Sequence, residues 1–361
     1  MNMSLPKSPS LPLDKAFSNP QLSLFQDFVC NNDHERQQLS NTIELWDSIP
    51  GYSMSRQAMR LMRDKRGHLD LLKLDFMYRK TKFNILIQPA LIEEIGKDGV
   101  IKTTAYYPSS NEDIVEQVLR KLAVDQAHGF FVKEKAISGV VFTLHQLRKE
   151  LARIDHTRSY QQIKLSLDIL SRSFIQIEGD MPNSKNVKRS TYLSELVTVS
   201  RKEKDADPDA KWMARFHPLV SQSIECLSYR QFNYSMLMQH KRQLTRWMHK
   251  LLIIKYTQAS RLSPFETRYS TIRRDSAMLN NYSRESDAID ACELSIRELK
   301  ENRVLESFEY RVERGAKKKI QDVVFKLTPT SDFVTEVKAS GKRHTKYQDL
   351  YTASKSGSYR S

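Results

Sequence analysis

Residues 139–178 read GVVFTLHQLRKELARIDHTRSYQQIKLSLDILSRSFIQIE, and the order of signals in this stretch decides the fold. Gly139-Val-Val-Phe142 predicts a short strand. Thr143 can cap a helix that carries Leu144, Leu147 and Leu151, and Ser159 can cap a second through Ile163, Leu167 and Leu170, all at helical spacing. Phe174 to Glu178 then predicts a strand, Gly179 to Arg189 a polar turn, and Thr191 to Ser200 a returning strand. Helix, turn, helix and β-hairpin make a winged helix-turn-helix. The second helix of such a unit can enter a DNA major groove with its first residues at the base edges. Those residues here are Arg158, Tyr160, Gln161, Gln162 and Lys164.

Toward the C-terminus the pattern repeats, so the fold class is α+β with two tandem winged helix-turn-helix domains. The charged stretch Lys202 to Lys211, with Pro208, suits a linker. Trp212 to Phe216 predicts a strand, Pro218 starts a helix through Val220 and Ile224, and Ser235 begins a long helix through Leu237, Leu244, Trp247, Leu251 and Ile254. Lys241, Arg242, Arg246 and Lys250 crowd one side of it, as a phosphate-facing surface or a solvated one would. Tyr269 to Leu279 predicts a helix with Arg273 and Arg274, and Ser283 caps the next, through Ile289, Cys292, Ile296 and Leu299. Arg284 and Ser286 stand at its reading end beside Glu285, Asp287 and Asp290. Val304 to Arg311 and Ile320 to Leu327 predict a hairpin whose tip holds Arg311, Arg314, Lys317, Lys318 and Lys319, a wing for phosphates or a minor groove. The organisation is thus a disordered N-terminal tail over 1–40, an extension of unassigned role over 41–100, winged domains over 101–205 and 206–335, and a basic C-terminal tail over 336–361.

A formal net charge of +15 over 361 residues calls for an anionic partner, and nucleic acid rewards many Lys/Arg contacts through counterion release. No apolar run reaches the roughly 20 residues of a membrane span, so no membrane partner is expected. Cys30, Cys226 and Cys292 give neither a disulfide framework nor a zinc spacing, which suits a cytoplasmic protein. The chain has no GxxxxGK[ST] loop, no His-x-His pair and no HExxH. Tyr106-Tyr107 before Pro108 therefore predicts a strand end, not a nucleophile. No cofactor, metal or catalytic residue is expected, and the chain does not read as an enzyme.

Near the start, in a segment where Pro6, Pro9, Pro12 and Pro20 oppose helix, stand Gln21-Leu22-Ser23-Leu24-Phe25. This pentapeptide resembles those by which bacterial replication proteins dock on the β sliding clamp, with Ser23 the small polar residue at its centre: Leu24 and Phe25 fill an apolar pocket, Leu22 a shallower one, and the Gln21 amide hydrogen-bonds the rim and fixes direction. With two winged helices behind it, the chain resembles the iteron-binding plasmid replication initiators of the RepA and TrfA kind. The resemblance is carried by residues 101–178, with Val141-Phe-Thr-Leu144 and Leu167-Asp-Ile-Leu170, by Met238 to Trp247, and by Arg297 to Glu306. It implies a protein that binds double-stranded origin DNA at direct repeats and opens the neighbouring duplex. It also implies delivery of host initiator DnaA, the replicative helicase and the clamp, a homodimer through the first winged domain, repression of its own promoter, and plasmid copy control. A transcriptional repressor with two winged helices is the alternative, and a DNA nickase a third reading.

Overall fold

The computed structural model describes residues 39–357 except 96–98, 100, 126–128, 133–136, 182–183, 199–209, 227 and 316–318. Gln21 to Phe25, most of the expected linker, and Lys317 and Lys318 lie outside the described residues. In chain order the elements are β1 (Leu39–Ile43), α1 (Arg56–Met62), β2 (Leu72–Tyr78), β3 (Thr81–Gln88), β4 (Ala90–Ile95), β5 (Ile101–Tyr106), α2 (Ser110–Asp125), β6 (Gly129–Val132), β7 (Ile137–Thr143), α3 (Leu144–Arg153), α4 (Tyr160–Arg172), β8 (Phe174–Met181), β9 (Ser184–Thr191), β10 (Leu193–Thr198) and β11 (Lys211–Phe216). They continue as α5 (Pro218–Glu225), β12 (Tyr229–Asn233), α6 (Tyr234–Met238), α7 (Gln243–Lys255), β13 (Phe265–Arg268), α8 (Tyr269–Ser276), α9 (Glu285–Glu301), β14 (Leu305–Arg314), β15 (Ile320–Pro329) and α10 (Ser331–Gly357).

Two winged units follow the same order of strand, helix, helix and hairpin: α2, β7, α3, α4, β8 and β9, then α7, β13, α8, α9, β14 and β15. The caps expected at Thr143 and Ser159 are both present as reciprocal capping boxes, closed by Gln146 and Gln162. Ile163, Leu167 and Leu170 of α4, and Cys292, Ile296 and Leu299 of α9, face one unbroken apolar core.

Several boundaries differ from the sequence reading. The first wing returns as β9, pairing Phe174 with Thr191 through Met181 with Ser184, so the described residues of the expected polar turn are strand. A wing exposes its strands to water, and polar residues there do not signal a loop. Thr191 to Ser200 is not the wing: its strand β10 lies in a second sheet of order β10-β11-β7-β6, which β11 joins by pairing with β7. Trp212 to Phe216 therefore completes the first unit. The long helix expected from Ser235 is broken into α6 and α7, because the backbone N–H groups of Lys241 and Arg242 turn to the Glu298 carboxylate. Asn233 caps α6, and Arg284, not Ser283, occupies the N-cap position of α9. Residues 336–357, expected as a tail, belong to α10, which seats Phe333 and Val337 in the core; Glu336 accepts the Asn233 N–H at 2.7 Å.

The extension over 41–100 is built into both units. β3 pairs with β8, so the first wing belongs to a sheet of order β2-β3-β8-β9. Gly179 stands opposite Phe83, where an added Cβ would lie 2.2 Å from the ring. Phe83 uses that space to stack on Phe76, 5.3 Å between centroids. On the far side, the Met77 N–H at β2 donates to Asp275 of α8 at 3.0 Å, tying the first wing's sheet to the second unit. The β4–β5 hairpin lays Ala90 and Ile92 on Ile169 and Leu165 of α4.

The strongest joint is ionic. Asp47, buried in the short turn after β1, accepts two hydrogen bonds from Arg120 of α2, both 2.7 Å, and one from Lys250 of α7 at 3.1 Å. Ile43 N–H, Thr42 and Gln117 complete its partners. Burial alone would raise the Asp47 pKa, but the Arg120 and Lys250 charges and these hydrogen bonds hold the carboxyl far below the usual carboxylate range. Lys250 also reaches Asp113 at 3.3 Å, so the first helices of the two units share one charge network.

Two stability predictions arise. Asp47→Ala strands Arg120 and Lys250 in the interior and should cost about 3–5 kcal/mol. In urea the wild-type chain should unfold in one transition for both units; separate transitions in the wild type would contradict the shared core. The second concerns buried neutral histidines. Burial pushes His217 down to about 3 and His240, with Arg246 nearby and Glu298 partly opposing, down to about 4. Each must take up a proton on unfolding below its ordinary value of 6.5, so their stabilisation is complete above that pH and declines as pH falls toward 4 and 3. At pH 5 the loss should be on the order of 2 kcal/mol per histidine. Urea midpoints at pH 7 and pH 5 measure it, and His217→Asn should remove part of the difference.

Candidate nucleic-acid interface

In the first unit the capping box orients α4, and core contacts fix which side faces water. Ile163, Ser166, Leu167, Ile169 and Leu170 are buried. At 100° per residue the opposite ridge runs through Gln161, Lys164, Asp168 and Arg172. Gln161 and Arg172 are exposed, and Arg172 lies 3.8 Å from Asp168. Asp168 and Arg172 were not singled out from sequence, though their positions 7 and 11 residues after Gln161 carry the signal. Such a ridge holds an amide that suits adenine, a carboxylate that suits cytosine, and an ammonium and a guanidinium that suit guanine or phosphate.

The other candidates around α4 are partly occupied. Gln162 spends its Oε1 on the Ser159 N–H at 2.9 Å, as the second half of the capping box. Arg158 donates to Asn111 at 2.9 Å and braces the turn against α2. Tyr160 lies under the Arg148 guanidinium, 4.8 Å from the ring centroid, and is a packing residue between α3 and α4 as well as a surface one.

The second unit is differently charged. The solvent side of α9 carries Asp287, Asp290, Glu293, Leu294, Arg297, Lys300 and Glu301, and Arg297 is paired with Glu293. Acidic side chains along this ridge repel the phosphates that flank a groove, and Glu285 and Asp287 stand in the first turn itself, so Arg284 at the N-cap and Ser286 are the groups of α9 that suit contact with DNA. Ser286 donates to Asp287 at 3.3 Å. Arg273 of α8 pairs with Glu285 of α9, and Arg274 chelates its neighbour Asp275 at 2.7 and 3.0 Å, so each guanidinium is partly spent within the protein. On the wing, Arg311 and Arg314 sit on strand β14 and Lys319 at the loop's end; Arg311 is 71% exposed along its side chain and only 3.3 Å from Glu313.

The basic face expected on the helix after Ser235 does not exist. Arg246 is 2% exposed and donates to the His240 carbonyl and to Ser110 of α2, both at 2.8 Å, while Lys250 is buried against Asp47 and Asp113. The break between α6 and α7 rotates these positions toward α2, where carboxylates await them. Lys241 and Arg242 remain exposed at the break, Arg242 lying 3.4 Å from Glu298. His240 and His249 form a buried pair at 2.9 Å; since the Asn302 amide can only donate to His240 Nδ1, His240 Nε2–H donates to His249. Among the described residues no group of His, Cys, Asp and Glu is placed to hold a metal ion, and no helix is long and apolar enough to cross a membrane.

No family model matches the sequence, and no curated protein matches it. Solved structures similar to the chain include domains 2 and 3 of RctB, with a TM-score of 0.47 at 12% identity over 80% of this chain and 98% of that one. A second structure of RctB domains 2–3 gives 0.41 at 11% identity over 76% and 97%. The Pi initiator protein in complex with iteron DNA gives 0.40 at 11% identity over 62% and 95%. At TM-scores below 0.5 these likenesses do not decide what this chain binds. Its own geometry establishes the fold, two tandem winged helix-turn-helix units locked on one core.

Proposed function

We propose that this chain is a replication initiator of the iteron-binding kind, which holds directly repeated double-stranded DNA with its two winged units. The observation that carries the reading is the rigid pairing of two such units, one presenting the ridge Gln161, Lys164, Asp168 and Arg172, the other Arg284 and the wing cations Arg311, Arg314 and Lys319. Units locked at one separation match sites repeated at one spacing. The net charge of +15 supplies the attraction to phosphate.

In this reading α4 enters one major groove and the first turn of α9 the next, with each wing on the adjoining backbone. Binding strains the duplex beside the repeats, and host DnaA, helicase and the β clamp are brought there, the clamp through Gln21 to Phe25. The same protein represses its own promoter, dimerises through the first unit and so limits plasmid copy number. None of these steps requires bond chemistry, and a nucleoid-associated cytoplasmic location suits them. Footprinting on the DNA flanking the gene is the test: protection of regularly spaced direct repeats supports an initiator, a single palindrome a repressor.

Two variants probe the parts. Gln161→Ala should relax discrimination at one base pair, costing about 1–3 kcal/mol against the preferred base, and Arg284→Ala should do so about one helical turn away. Equal loss across all site variants would make either residue a phosphate contact. A peptide spanning residues 18–28 should bind the purified β clamp, and replacing Leu24 and Phe25 with Ala should abolish this while DNA affinity stays unchanged.

A further inference from the structure

We propose that α1 and the turn after it, residues 56–68, form a third DNA-contacting surface beside the first reading helix. Arg60, Lys65 and Arg66 would sit on phosphates, and Leu61 would enter the groove between them. The inference rests on the DNA-binding reading above and adds a site outside the two reading helices and their wings.

The segment is fixed against α4 by its inward side. Arg56 donates to Glu112 at 2.8 Å, and Ser166 of α4 donates to the same Glu112 oxygen at 2.7 Å. Arg56 and Arg63 hold the Tyr106 ring from 4.7 and 4.5 Å, and that ring packs against the cluster of Ala90, Ile92 and Ile169, the last of these on α4. Arg63 also donates to the Ala105 carbonyl at 2.7 Å. The turn that follows is equally rigid. Asp64 accepts the N–H groups of Arg66 and His68 at 2.9 and 2.8 Å. Gly67 has φ +85° with the Thr103 carbonyl 2.7 Å from where a Cβ would stand, so only glycine closes it.

The outward side is built quite differently. Among the described residues Arg60 and Lys65 are exposed with no ion pair, and Arg66 is exposed with its charge acting only on the nearby Asp64 carboxylate. Between them lie Leu61, 82% exposed, and Met62, 48% exposed. A solvated helix gains nothing from an apolar pair at its most exposed positions. Apolar side chains ringed by cations are instead the composition with which proteins enter and unstack a minor groove while neutralising its two backbones. The field beside α4 is net positive, three cations against the single Asp64 carboxylate, and it selects an anionic duplex as its occupant.

The test uses the full chain and a duplex carrying the repeat identified by footprinting, with affinity measured across a salt series. Arg60→Ala, Lys65→Ala and Arg66→Ala together should flatten the slope of log affinity against log salt by about 2.7, at roughly 0.9 per phosphate lost. Leu61→Ser should weaken binding several-fold with the slope unchanged. All four positions are exposed, so the variants should fold, and circular dichroism checks this. A wild-type slope in the triple variant, which would leave the patch to an acidic protein partner, or wild-type affinity in Leu61→Ser, overturns the proposal. If the wild-type chain protects no repeat at all, the initiator reading fails instead.

Discussion

The Asp47 carboxylate is the constraint on which the two-unit architecture depends. A carboxylate taken out of water is tolerated only when its lone pairs are fully engaged by donors, at least one of them charged. Asp47 meets that condition by drawing Arg120 from α2 and Lys250 from α7, so the first helices of both winged units must approach the same point. Other acids act in the same way. Glu112 gathers Arg56 and Ser166, Asp275 gathers Met77 N–H and Arg274, and Glu298 gathers Lys241 N–H and Thr245. Each joins an element of one unit to an element distant in sequence.

This inward use of acids has an electrostatic consequence for the surface. Carboxylates at these joints are matched by buried or half-buried cations, leaving other Lys and Arg side chains free to project a positive field. The field is uneven. The ridge of α4 mixes Gln161, Lys164, Asp168 and Arg172, whereas that of α9 carries acids from its first turn onward. Two units of one fold therefore present different chemistry, the first through its helix and the second through helix start and wing.

Much of the fold was legible because its signals are local. Thr143 and Ser159 followed three residues later by glutamine, with apolar residues at helical spacing, mark both helices of the first unit. Pro218 at the first position of α5 is a signal of the same local kind. The candidate site was legible to the same depth: Gln161 and Lys164 follow from the cap, but Asp168 and Arg172 emerge only once buried Leu167 and Leu170 fix the rotation of α4. The first wing was misplaced because its strands face water and carry the residues of a loop.

By itself the sequence determined element type, the number of winged units and the sign of the field, since caps, periodicity and net charge act over a few residues or need no geometry at all. Tertiary structure alone decided which charges are available to a partner. Lys241, Arg242, Arg246 and Lys250 look alike in sequence, yet the backbone of the first two turns to Glu298 and the last two are buried against Ser110, Asp47 and Asp113. A cation's fate depends on where a carboxylate from elsewhere in the chain arrives. That distance is set by packing, and no spacing rule records it.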